Sequence, residues 1–220
     1  MVEPDRIIRS ERKTLAVSID AFGVVTVRAP KSCSSARIFD FLREKEGWIL
    51  KKKAERAGAG MRLPPDNLDG YTFLLLGKTC QVAVADVSRV AYDAQNARLY
   101  LPYARAKEKL VKWLKDNAKR IFTQIVNEWS QVMGVHPSSV SVSSARTRWG
   151  SCSGKNALRF SFRLLYAPKP AVEYVVVHEL AHCKYKNHSS AFWAEVARYY
   201  PEYKKWRGWL KSNALLMKIF

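Results

Sequence analysis

The sequence predicts an α+β fold, with a strand-rich N-terminal region (1–103) ahead of a helical C-terminal region (104–220). Three observations carry this. Short alternating or β-branched stretches, set off by turn residues, fill much of the first hundred positions. Near Ala104 the period changes, and apolar residues recur at three- and four-residue steps. From Val172 to Cys183 the chain is apolar almost all round, as a buried helix is. The boundary near 103 is soft, and the whole can also form one compact unit.

Taken in order, Leu15–Ile19 and Gly23–Arg28 read as two strands joined through Asp20, Ala21 and Phe22. A helix is expected from about Ser34 to Ala57, with Ile38, Phe41, Leu42, Trp48 and Ile49 near helical spacing and Gly58 and Gly60 closing it. Pro64-Pro65 opens a turn-rich link. Strands come next at Tyr71–Leu76, Gln81–Ala85 and Arg98–Leu101, ended by Pro102. From Ala104 to Met133 runs a long amphipathic helix carrying Leu110, Trp113, Leu114, Ile121, Ile125 and Trp129, stopped by Gly134. Ser138–Ala145 alternates valine with serine, and Ala157–Leu165 reads as a further strand beyond the turn region Gly150–Gly154. Pro170 suits the first turn of the next helix. Ser189–Tyr199 makes one more, with Phe192, Trp193 and Val196 on its apolar side.

The chain has 220 residues, 48% of them apolar, enough for one good core and unlike a disordered chain. No apolar run approaches the roughly 20 residues that span a bilayer. The opening residues show no basic end leading into an apolar stretch, so no secretory signal is read and a cytoplasmic place is expected. Cys33, Cys80, Cys152 and Cys183 show no zinc-finger spacing and read as free thiols. The formal charge of +19 favours anionic partners such as nucleic acid, nucleotides or acidic substrates, or else describes a solubilising surface.

Chemistry concentrates in Val177-His178-Glu179-Leu180-Ala181-His182, a His-Glu-x-x-His pattern. On a helix, residues four apart lie one turn above each other, so His178 and His182 can reach one metal ion. His188, six residues on, can supply a third nitrogen past the helix end. Zinc suits such a site, with three protein ligands leaving a position for water. Glu179 then stands where a general base would take that water's proton. The plainer reading is a helix that happens to carry these residues. Phase argues against it: Glu179 lies about 130° round from the wet stripe marked by Glu173 and Lys184, where an unpaired carboxylate would be costly to bury. Cys183, about 100° round from His182, is a poor fourth ligand. Glu195 can orient a ligand histidine or, more commonly, form a surface ion pair. His136, beside a proline, is read as a surface residue.

Arg146-Thr147-Arg148-Trp149-Gly150-Ser151-Cys152, the His-Glu-Leu-Ala-His helix, and Asn187-His188-Ser189 with Phe192-Trp193 together resemble the YgjP-like family of zinc metallopeptidases and metal-dependent hydrolases. Arg9-Ser10-x-Arg12-Lys13 and Val27-Arg28-Ala29-Pro30 fit it too, so the resemblance covers nearly the whole chain. More distantly, the helix and third histidine are similar to the SprT and WLM zinc proteases, some of which act on DNA-bound proteins. The resemblance implies a zincin-like catalytic part with His178, His182 and His188 as zinc ligands and Glu179 as base. The third-histidine offset also matches metzincins, but Tyr185 stands at their glycine position. A donor for the oxyanion is expected from Arg148, Tyr185 or Tyr203, unranked, and Arg148 and Trp149 can equally be structural.

The leading expectation is a zinc-dependent metallopeptidase acting on peptide or protein, with Ala157–Leu165 offering an edge for extended substrate. The alternatives are a nucleotide phosphoanhydride hydrolase and a DNA-associated zinc protease or nucleic-acid-binding protein, both motivated by the charge.

Overall fold

The computed structural model describes residues 2–19, 23–57 and 64–220. The chain divides by its contacts into two compact units, Met1–Leu63 and Pro64–Phe220. The expected boundary near 103 falls inside the second unit, whose strands between 72 and 102 pack with elements later in the chain, as where Leu76 N–H donates to the Leu165 carbonyl at 2.8 Å.

The first unit holds a three-stranded sheet of β1 (Arg6–Ser10), β2 (Ala16–Ile19) and β3 (Val25–Pro30). The hairpin expected from the sequence is present as the antiparallel β2–β3 pair; its connecting residues 20–22 lie outside the described ones. β1, unforeseen, pairs parallel with β3. The helix expected over 34–57 is two, α1 (Ser35–Glu44) and α2 (Glu46–Ala57). Ser34 caps the first by accepting from Arg37 N–H, and Lys45 leaves helical geometry at its end. Ile38, Leu42 and Ile49 bury against Val25, Val27 and Ala29 of β3. Gly58 and Gly60, the expected stop, lie outside the described residues.

The second unit begins with a sheet of β4 (Thr72–Leu75), β5 (Lys78–Ala85), β6 (Ala91–Asp93) and β7 (Arg98–Pro102), in the order β4-β5-β7-β6. α3 (Ala106–Met133) comes next and ends where expected, with Gly134 left-handed at φ 60°. Its apolar stripe of Leu110, Leu114, Ala118, Phe122 and Val126 is wholly buried. Phe122 meets Phe160 with ring centroids 5.6 Å apart. Burying a phenylalanine of this kind contributes about 1.5–3 kcal/mol.

The third sheet decides where the chemistry sits. It contains β8 (Ser139–Ser143), β9 (Gly150–Cys152) and β10 (Ala157–Ser161), in the order β8-β10-β9. β9 occupies the stretch read from sequence as a turn. The strand expected over 157–165 is shorter, and Phe162–Tyr166 coil into a 3₁₀ helix. Buried Arg163 there donates to the carbonyls of Ser144 (2.9 Å) and Ile219 (2.6 Å), fixing the loop that leads to β9. Then come α4 (Lys169–Ala181), α5 (Ser190–Tyr199) and α6 (Tyr203–Ser212), the last not foreseen. α4 packs against α3, α5, α6 and β9. It is buried on nearly every side, in agreement with its all-round apolar sequence. No helix of the described residues is long and apolar enough to cross a membrane.

Candidate active site

α4 begins with Pro170 in its first turn, where the missing N–H costs nothing. It ends at Ala181, sooner than the sequence suggested, with His182 as its C-cap. The chain turns at once, Tyr185 N–H donating to the Ala181 carbonyl at 2.9 Å. Ser189 then caps α5 by accepting from Phe192 N–H. The reversal carries His188 back over α4.

The result is a cluster of His178, His182 and His188 whose ligand atoms all lie within 4.8 Å of one another. His178 Nε2 and His188 Nε2 stand 3.2 Å apart. His182 Nδ1 lies 2.9 Å from the Tyr185 carbonyl, which can only accept, so Nδ1 carries the proton and Nε2 keeps its lone pair. Burial, with help from the two neighbouring histidines, pushes His178 down to about 3. Burial also lowers His182, against the Tyr185 carbonyl bond that raises it. His178 and His182 are thus held neutral, the form that binds metal. A tetrahedral zinc sits about 2.0–2.1 Å from each nitrogen, which sets neighbouring ligands about 3.3 Å apart. The spacing of His178 from His188 and the chemistry of the donor set fit such an ion.

Glu179 is 5% exposed. Burial pushes its carboxyl up to about 8, with the Arg148 charge pulling it partly back. Its neighbour is the backbone of Gly150: a Cβ there would fall 2.7 Å from Glu179 Oε1 and 2.8 Å from its Cγ. β9 therefore approaches the helix as closely as it does because residue 150 has no side chain. Two residues on, and so on the same face of the strand, stands Cys152, whose thiol donates to the Ser153 carbonyl at 3.5 Å and lies near that of Cys183.

Aromatic rings wall the cluster. Phe192 stacks on His182 at 4.4 Å, and Trp193 stacks on His188 at 5.6 Å and on Tyr203 at 5.4 Å. Of the three oxyanion candidates, Tyr203 lies in this stack and Tyr185 serves through its backbone carbonyl. Arg148 is exposed and lines a separate hollow with Ser151 and Arg159. Glu195 is buried and pairs with Lys184 at 2.7 Å, while Lys184 also donates to the Met133 carbonyl at 3.0 Å. It is an ion pair, as sequence spacing favoured, but an inward one that ties α5 to the end of α3.

Beside His178 and Glu179 opens a hollow of about 310 Å³, walled by Trp149, Tyr174 and Leu210 with Arg207 of α6. Sequence reading named Trp149 but missed Tyr174, Arg207 and Leu210. Tyr174 was legible as the residue one turn before His178; the other two belong to the unforeseen helix.

The YgjP-like, metallopeptidase domain matches residues 13–213. The chain belongs to the YgjP-like family. That membership makes the chain a metallopeptidase, a hydrolase with a divalent metal that acts on protein or peptide. Among solved structures, the YgjP-like chain resembles the metallopeptidase zymogens of Pyrococcus abyssi abylysin (TM-score 0.38) and Methanocaldococcus jannaschii jannalysin (TM-score 0.37). Each is 23% identical over 40% of this chain, covering 90% and 92% of its own. Comparison with curated proteins gave no match.

Proposed function

We propose that His178, His182 and His188 hold zinc and that Glu179 is the general base of peptide-bond hydrolysis. The observation that carries this is the pairing of three converging imidazoles with a carboxylate buried beside them. Zinc, when bound, supplies a water of lowered pKa and polarises the scissile carbonyl. Glu179 would take the proton from the attacking water and deliver it to the leaving amine. Its burial suits the double duty, because a carboxyl held near neutrality both accepts and gives up a proton readily. Gly150 keeps the carboxylate in place from the strand side.

The expected substrate strand, Ala157–Leu165, is not free: its extended part, β10, is the centre of its sheet with both edges paired. The free edge beside α4 belongs to β9, and extended substrate is assigned there, adding a strand by main-chain hydrogen bonds. A cytoplasmic setting rests on the scattered thiols, which are all unpaired among the described residues.

The test measures bound metal by mass spectrometry on wild-type protein and His182→Ala, with casein hydrolysis on the same samples. About one zinc per chain, lost in His182→Ala together with casein cleavage, is expected. Wild-type protein that stays metal-free after zinc is supplied would overturn the assignment.

A further inference from the structure

The hollow beside Glu179 has a composition that the hydrolytic step does not require. Trp149, Tyr174, Val175 and Leu210 give it apolar walls, and Arg207 and Lys211 bring two cations to it from α6. Glu179 is the sole acid among its lining residues. Arg207 and Lys211 are four apart on one helix, so they stand one turn above each other on the same side. Neither forms an ion pair among the described residues.

Arg207 is also held in position. Its guanidinium lies over the Trp193 ring, 4.6 Å from the centroid, and Trp193 is itself stacked on Tyr203. Arg207 lines the same hollow as His178 and Tyr174, so it borders the cluster although it is itself exposed. A planar fork fixed in this way suits a carboxylate, which it can bind through two parallel hydrogen bonds.

We infer that this hollow is a specificity pocket for a substrate group made of a short apolar stem ending in a carboxylate, bound by Arg207 with Lys211. The group is either a glutamate side chain next to the scissile bond or the substrate's own terminal carboxylate. A volume of about 310 Å³ is at the low end for ligand sites and admits one side chain. A phosphate chain fits less well, because it would set several charges against four apolar walls with two cations to meet them. The inference rests on the peptidase reading of the site and narrows it to peptides with an acidic group at that position.

The experiment uses matched peptides carrying Glu or Gln at each position flanking the cleaved bond, each with a free or an amidated C-terminus. Cleavage is measured with zinc-loaded wild type, Arg207→Gln and Arg207→Lys. Binding of the same peptides, and of pyrophosphate, is measured by calorimetry on zinc-loaded Glu179→Gln with and without Arg207→Gln. A carboxylate preference of about 10- to 100-fold is expected in wild type, since a hydrogen bond to a charged group is worth that much. The ratio of acidic to neutral peptide should fall to about one in Arg207→Gln and survive in part in Arg207→Lys. Preference for Glu in amidated peptides identifies the side chain as the source, and preference for the free C-terminus identifies the terminal carboxylate.

Equal handling of acidic and neutral peptides overturns the inference, as does a preference that Arg207→Gln leaves intact. Arg207-dependent binding of pyrophosphate tighter than of any acidic peptide overturns it in favour of a phosphate ligand. If wild type cleaves no peptide, the hydrolytic assignment fails, and the calorimetric arm still decides whether the pocket reads a carboxylate.

Discussion

The sheet β1-β3-β2 and the sheet β8-β10-β9 are built to one plan: the last strand in sequence lies at the centre, parallel to the first and antiparallel to the second. Their inward faces differ. β3 sends Val25, Val27 and Ala29 into an apolar core with Ile38, Leu42 and Ile49. In the other sheet, β10 buries Leu158 and Phe160 in the same manner, but β9 turns Gly150 and Cys152 toward α4. The first sheet fills its space with methyl groups. The second leaves out a side chain at Gly150, and the Glu179 carboxylate occupies that room. The topology is shared, so it is not what makes a site; one absent Cβ against one buried carboxylate is.

The largest effect expected at this contrast comes from Glu179→Gln, which keeps the shape and removes the proposed base. Peptide hydrolysis should fall by about 100-fold or more, with zinc content unchanged. Residual activity within tenfold of wild type would remove Glu179 from the proton path.

Gly150→Ala erases the feature by which the second sheet differs from the first. The new Cβ would meet Glu179 Oε1 at 2.7 Å, so carboxylate or strand must shift. Activity is expected to drop at least tenfold, as displacements of about 1 Å at a reacting group do, with about 1–3 kcal/mol lost in stability. Retained activity with a shifted strand would show that β9 does not set the position of Glu179.

A third effect is a pH dependence that the apolar sheet cannot produce, read by denaturant unfolding of the chelated, metal-free chain. Below about 6.5 the unfolded chain protonates His178, whereas the folded chain does so only near 3, so stability is lost as pH falls through that window. Above about 4.5 the unfolded chain ionises Glu179, whereas the folded chain holds the proton until about 8, so stability is lost as pH rises. The two slopes oppose each other between about 4.5 and 6.5, where these two groups place the maximum. Glu179→Gln should remove the decline on the alkaline side; an unchanged decline would deny the buried carboxyl its role.

The smallest effect is the control on the other sheet. Ser18→Ala, on the exposed side of edge strand β2, should change stability by less than about 0.5 kcal/mol and leave hydrolysis alone. A larger change would mean that the two sheets are less different than their inward faces suggest.

The sequence by itself determined the parts whose causes are local. His178 and His182 share a helix face because helical geometry requires it, and the buried phase of Glu179 came from the absence of polar neighbours around α4. The long helix and its Gly134 stop, the β2–β3 hairpin and the start of α5 at Ser189 were legible for the same reason. Tertiary structure decided the rest. Whether 150–152 is turn or strand depended on pairing with Leu158, Arg159 and Phe160, which three residues with a glycine cannot signal alone. The meaning of Gly150 depended on what lies across from it, and that is a residue 29 positions on. The division near 63 depended on which partner the strands of 72–102 found, not on their own period. The place of Arg207 and Lys211 beside the hollow depended on α6 packing on α4, because a side chain's sequence neighbours do not disclose the cavity it borders.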